Sequence, residues 1–399
     1  MTDRHVIDTV DEYDRSVAEL AAGHGPIAID TERASGYRYS QRAYLIQVFR
    51  RGAGVYLFDA PSIGSFETID AAFEGEEWVL HAASQDLPSL REVGIQPRRL
   101  FDTELSARLL GMPKVGLGAV VEETLGIHLA KEHSAADWST RPLPQSWLEY
   151  AALDVELLVD VRDILEQRLV ENRKTRIARE EFEAVLDEPA RQPRVDPWRK
   201  LSGIHSVKGI RHLAVARELW NARDAYARET DTAPGRLVPD RSLVAVVKAL
   251  PRSKEALAGL REFTGRASRS QIDRWWAAIE RGLSTEDLPA ARAAATDHVP
   301  PPRSWAERDP DADARLKRAK PVVASIADAL DMPVENLLKP DYLRRVAWHP
   351  PQPADAAAIG RELAGYGARA WQVEATAQSI ADAFVDAAQN GAPESETAS

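Results

Sequence analysis

The sequence predicts an α/β domain, a mixed sheet with flanking helices, over residues 1–187, followed by two all-α bundles over 205–284 and 311–390. Three observations carry this reading. Short apolar strand signals occur only in the first block. A proline-rich stretch, Glu188-Pro-Ala-Arg-Gln-Pro-Arg-Val-Asp-Pro197, closes that block and reads as a semi-extended linker. Every segment after it has helical periodicity. The length of 399 residues also suits two to four domains, at roughly 100–200 residues each.

In chain order, a helical pattern over 9–22 precedes three strands in quick succession, over 26–32, 44–49 and 55–59. A fourth strand, Trp78-Val-Leu-His81, runs into a helical stretch over 84–93, and another helix covers 103–110. Strands followed by alternation with helices argue for a mixed sheet covered on both faces. From Gln145 to Glu188 the pattern is helical, ending at Pro189. Linkers are expected over 188–204 and 285–310, the second holding Val299-Pro-Pro-Pro302, and they should let the blocks fold as separate units. The two helical blocks share a plan of a long first helix, a short Leu-rich motif and closing helices, which suggests a diverged repeat. The tail 391–399 is small and polar and should be disordered.

Composition narrows the function. Hydrophobic residues make up 44% and charged residues 28%, enough for a buried core. No apolar run long enough to span a bilayer exists, and the start lacks a signal-peptide core, so a cytoplasmic protein without a membrane partner is expected. With zero cysteines, thiolate zinc sites, iron–sulfur clusters and cysteine nucleophiles are excluded, and any metal must sit on oxygen or imidazole. The net charge of -11 does not exclude nucleic acid, because metal-dependent nucleases carry surplus carboxylates that their ions neutralise.

The strand Ile27-Ala-Ile-Asp-Thr-Glu32 alternates, so Asp30 and Glu32 project from the same side of its end. Asp86 follows the strand Trp78–His81 at a helix start. Tyr150 and Asp154 stand at i and i+4 on one helix face. Four converging carboxylates would repel one another unless cations lay between them, and an all-oxygen set suits Mg²⁺ or Mn²⁺. Two such ions can activate a water and stabilise a leaving oxygen, with Tyr150 beside that water. His81, at the end of an apolar strand, reads as structural, as do Trp275, Trp276 and Trp371 in helical patterns. The run Gly111-Met-Pro-Lys-Val-Gly116-Leu-Gly has Leu117 where a phosphate loop needs Lys, and reads as a turn.

Taken together, Ile-Asp30-Thr-Glu32, His81-Ala-Ala-Ser-Gln-Asp86-Leu, Leu100-Phe-Asp102-Thr, Asp137-Trp-Ser-Thr-Arg-Pro-Leu-Pro and Tyr150-Ala-Ala-Leu-Asp154-Val resemble the RNase D family of 3′→5′ exoribonucleases, over most of residues 5–170. The resemblance implies a ribonuclease-H-like sheet and two divalent ions, Mg²⁺ or Mn²⁺, on Asp30, Glu32, Asp86 and Asp154. Tyr150, four residues before the last Asp, marks the DEDDy branch. One departure is Arg33, where the family often has an aromatic residue; Tyr37 and Tyr39 come later. Blocks 205–284 and, loosely, 311–390 look like HRDC modules, through Leu237-Val-Pro-Asp240 and Glu335-Asn-Leu-Leu338 respectively. Candidate nucleic-acid contacts are Thr31, Tyr39, Arg252, Lys254, Arg266 and Arg269. The expected substrate is RNA, tRNA precursors or other structured 3′ ends. A DNA exonuclease, or a non-catalytic RNA-binding protein with a nuclease fold, are the alternatives.

Overall fold

A computed structural model describes residues 4–129, 135–189, 194–291 and 299–391. In the first domain six strands form one mixed sheet in the order β1-β4-β3-β2-β5-β6. They are β1 (Val6–Ile7), β2 (His24–Arg33), β3 (Ala43–Arg51), β4 (Gly54–Phe58), β5 (Trp78–Leu80) and β6 (Leu100–Asp102). Strands β2, β3 and β4 run antiparallel, while β1 joins β4, and β5 joins β2 and β6, in parallel. Strand β2 is therefore central. Ile27, Ala28 and Ile29 are all fully buried, because both faces of this strand are covered. The sequence reading missed β1 and β6, of two and three residues, which are too short to show a period.

The helices of this domain are α1 (Val10–Ala21), α2 (Ala60–Ile63), α3 (Glu67–Ala72), α4 (Leu87–Glu92), α5 (Thr103–Leu109), α6 (Leu117–Leu125), α7 (Gln145–Glu156), α8 (Leu158–Glu171) and α9 (Thr175–Leu186). Helix α7 packs on β2, β3 and β4 through Leu148, Ala151 and Ala152, which meet Tyr44, Leu45 and Leu57. That contact brings its other face to the end of β2.

The second block holds α10 (Ile210–Glu229), α11 (Pro234–Leu237), α12 (Asp240–Ala249), α13 (Lys254–Gly259) and α14 (Ile272–Ser284) around its own apolar cluster. The third holds α15 (Trp305–Arg308), α16 (Pro310–Ala329), α17 (Val334–Leu337), α18 (Pro340–Trp348), α19 (Ala356–Gly365) and α20 (Ala370–Asn390). In each block a helix of 20 residues precedes one of four, and that long helix packs against the last helix of the block.

Two expectations need correction. The linkers are shorter than 188–204 and 285–310, because Trp198 and Leu201 are buried in the second block's core and Trp305 in the third's. Nor are the units all separable. One apolar cluster runs from the sheet into the third block, joining Phe101 and Phe182 to Trp371 and Phe384. Glu181 on α9 accepts from Arg369 Nη2 at 2.6 Å and from the Trp371 indole at 2.9 Å. Lys174 Nζ donates to the carbonyls of Leu109 (2.6 Å) and Asp331 (3.1 Å). Gly111 stands at φ +68 where a Cβ would lie 2.7 Å from the Asp331 carbonyl, so the turn expected there is also a docking point. The expected disordered tail, 391–399, lies outside the described residues from 392 onward. No helix among the described residues is long and apolar enough to cross a membrane.

Candidate active site

Strand β2 delivers Asp30 and Glu32 to its C-terminal end, and α7 delivers Asp154 from across the face. Carboxylate oxygens of these three residues all lie within 4.8 Å of one another. The strand and helix spacings anticipated from sequence thus meet at one point. Tyr150, one turn before Asp154, donates its hydroxyl to that carboxylate. Helix α7 holds both because Leu148, Ala151, Ala152 and Val155 on its other side are buried.

Burial dominates the electrostatics of the cluster. It pushes Asp30 and Glu32 well above the ordinary carboxylate range, and the neighbouring acids push them further. Burial likewise raises Asp154 to about 7, against the hydrogen bond from Tyr150. Burial and the Asp154 charge raise Tyr150 far above its usual value, so its hydroxyl stays protonated. Carboxyls so crowded and so poorly solvated resist ionising together. A hard divalent cation would supply the missing charge, and the buried all-oxygen donor set fits one.

Asp86 stands apart from that triad. Burial raises it to about 6, while Arg33 and Thr31 pull it down. Its Oδ1 accepts from the Thr31 hydroxyl at 2.8 Å and pairs with Arg33 Nη1 at 3.2 Å. Arg33 also donates to the Gln85 carbonyl. The departure seen at Arg33 therefore sets a cation against the fourth acid, where an aromatic ring would have left it unpaired. The side chain of Thr31, a candidate nucleic-acid contact, is buried and donates its hydroxyl to Asp86. Sequence reasoning missed Gln47, which pairs with Asp30 across β2 and β3 and donates to Asp30 Oδ2 at 2.9 Å. Only the strand register reveals it.

His81 matches its structural reading: burial lowers it to about 4, and its Nδ1 lies 2.9 Å from the Thr103 hydroxyl. Trp275 is buried with its indole on the Ala267 carbonyl, and Trp371 is buried against Glu181. Tyr39, a candidate nucleic-acid contact, is engaged by the second block. Its hydroxyl bonds Asp224, Arg228 lies 5.5 Å from its ring centroid, and it packs on the second block. Tyr37 is covered by Arg236 at 3.8 Å. The second block thereby grips the loop leaving the acidic strand, and Asp231 reinforces the grip by accepting from Ser40 N and the Tyr44 hydroxyl. Arg252, Lys254, Arg266 and Arg269 are all exposed on that block. Lys254 pairs with Asp273 at 2.5 Å, and Arg269 reaches the Leu260 carbonyl at 3.4 Å.

Three family models match the chain: one described as 3′-5′ exonuclease over residues 5–170, HRDC domain over 212–279, and 3′ to 5′ exonuclease C-terminal domain over 298–384. The third block thus matches a family of its own, and its kinship to the second rests on the shared helix order. A ribonuclease D from Xanthomonas oryzae pv. oryzae is 30% identical over 69% of this chain and 77% of the relative. Three further ribonuclease D relatives, 31–35% identical, are matched over 45–66% of their length, so the chain spans half to two thirds of those proteins. A crystal structure of a protein from Bifidobacterium adolescentis superposes with a TM-score of 0.87 at 37% identity, covering 96% of this chain and 97% of that one. Escherichia coli RNase D, described as an exoribonuclease involved in structured RNA processing, gives a TM-score of 0.67 at 25% identity, covering 92% and 100%.

Proposed function

The chain belongs to the ribonuclease D family, and we propose that it is a cytoplasmic 3′→5′ exoribonuclease acting on structured RNA such as tRNA precursors. The observation that carries this reading is the meeting of Asp30, Glu32 and Asp154 within 4.8 Å, with Tyr150 hydrogen-bonded to Asp154. Its catalytic set is Asp30, Glu32, Asp86, Tyr150 and Asp154, with the four acids as metal ligands. Two divalent ions, Mg²⁺ or Mn²⁺, held there would lower the pKa of water and neutralise charge building on the phosphate.

The protein's own residues supply position and proton control. Tyr150, kept protonated, donates to Asp154 and leaves its lone pairs to accept from a water, fixing that water's direction. Gln47 holds one oxygen of Asp30, and Thr31 holds one of Asp86, so neither carboxylate is free to rotate. The water gives up a proton as its oxygen bonds to the last phosphorus, the bond from phosphorus to the 3′-oxygen breaks, and that oxygen takes up a proton. The products are a nucleoside 5′-monophosphate and a chain shorter by one. Support for structured RNA comes from the description of the Escherichia coli relative and from the HRDC match.

The test is incubation of pure protein with 3′-labelled RNA and with matched DNA, with and without Mg²⁺ or Mn²⁺. Release of labelled mononucleotide from RNA, dependent on the ion and lost in Asp30→Asn, supports the reading. Faster release from DNA, or internal cleavage of circular RNA, refutes it.

A further inference from the structure

One well-formed cavity among the described residues is not lined by the acidic cluster. It has a volume of about 790 Å³, within the roughly 300–1,000 Å³ range of binding sites, and lies beside the same edge of the sheet. Strand β2 ends there at the acids, β3 starts there with Ala43 opposite Arg33, and β4 ends there at Phe58 before Asp59. From β2 to β4 is two strand spacings, about 10 Å. Helix α7 joins the two places: Leu148 lines the cavity, and Tyr150 and Asp154 reach the acids.

Three arginines line it, Arg38, Arg42 and Arg141, together with Ser139. Arg141 is committed to the protein: Nε pairs with Asp59, and its other nitrogens donate to the carbonyls of Trp138, Thr140 and Tyr44. Arg38 is only aimed. Its Nε donates to Ser139 at 2.8 Å, and Ser139 in turn donates to Asp137, which leaves both terminal amino groups of Arg38 without a partner among the described residues. Arg42 lies over the Tyr44 ring at 4.9 Å, and its closest carboxylate, Asp231, is 3.9 Å away. Of the acids facing the cavity, Asp59 is neutralised by Arg141 and caps α2, and Asp8 is exposed on the rim.

We infer that this cavity binds the phosphodiester backbone of the RNA strand a few nucleotides upstream of the terminal one. Two oriented guanidinium groups with spare donors suit phosphate oxygens, which take them in bidentate fashion. Contacts of this kind position a strand without reading its bases. This inference rests on the exoribonuclease reading, since it places the upstream part of the same substrate.

The experiment measures binding in a chelator, where divalent ions play no part, using 5′-fluorescent RNA: a dinucleotide, and a single strand of about a dozen nucleotides. Arg38→Ala/Arg42→Ala should weaken the longer strand by roughly tenfold per arginine. The slope of log affinity against log salt should become shallower by about 1.4, at roughly 0.7 per lost phosphate contact on a single strand. Dinucleotide affinity should be unchanged. The pair Arg38→Lys/Arg42→Lys, which keeps the charge and the fold, should keep the salt slope and lose part of the affinity. Unchanged affinity and slope for the longer strand, or equal losses on dinucleotide and longer strand, would overturn the inference. Wild-type protein that binds the longer strand yet leaves it intact in Mg²⁺ and Mn²⁺ would instead remove the exoribonuclease reading.

Discussion

Tyr150→Phe removes one hydroxyl and leaves the ring in place, so it isolates the water-orienting role. The turnover rate should fall by roughly 10²–10⁴, the scale of positioned proton-handling groups, with RNA affinity unmoved. Single-turnover kinetics beside a binding titration decide it; weaker binding at an unchanged rate would make Tyr150 a substrate contact. The buried acids make a second expectation. Between the ordinary value near 3.8 and the raised value of about 7, folded Asp154 holds a proton that the unfolded chain has released. Folding stability therefore falls as pH rises through that window. In chelator, thermal melts of wild type should lose ground from about pH 4 to about pH 7 relative to Asp154→Asn, which has no such proton to lose. Added Mn²⁺ should raise the wild-type midpoint most at the upper end, where the ligands ionise more readily. Parallel pH profiles for wild type and variant would contradict the burial argument.

Elements show where sequence was enough and where it was not. Asp30, Glu32, Tyr150 and Asp154 were legible because strand alternation and the helical i, i+4 relation are local, and local spacing needs no fold. Gln47 was invisible, since its only link to Asp30 is the register of two strands, 17 residues apart in the chain. Thr31 lies between the two acids of the strand and Tyr39 is an aromatic close behind it, positions that suggest RNA contacts as long as their packing is unknown. Their partners, Asp86 on another element and Asp224 in another block, could be known only from packing. Helix α9 shows the same limit, as its end before Pro189 was readable but its start and its docking face were not. There the side chain of Glu181 is 4% exposed and pairs with Arg369, so Glu181→Ala leaves a half-buried guanidinium without its partner. The cost should be about 3 kcal/mol, the low end for breaking a buried pair, read from urea unfolding. Arg176→Ala breaks the outer pair with Glu374, where the arginine side chain is 61% exposed, and should leave the midpoint unchanged. Equal effects of the two would deny that α9 is a docking element.

At the scale of the molecule, the second block has a closed core, and the first and third share one. Trp198, Phe263 and Trp275 fill the second block's core, which takes only Tyr39 at its margin from the first domain, whereas the cluster under the sheet continues through Phe182 to Trp371. A fragment covering 197–285 should therefore unfold cooperatively by itself, with its tryptophan emission shifting in one step. The fragment ending at 187, which composition alone would pass as an independent nuclease, should not match the intact chain. Removing the third block strips Glu181 of Arg369 and Trp371, takes one carbonyl from Lys174, and exposes the apolar side of α9. Its denaturant midpoint should drop well below that of the first domain in the intact protein, with a tendency to aggregate through the uncovered surface. Domains that share a core melt together, so calorimetry of the full chain should resolve the second block from a single larger transition. A 1–187 fragment with the midpoint of the full chain would show that the shared cluster is only a contact between two complete domains.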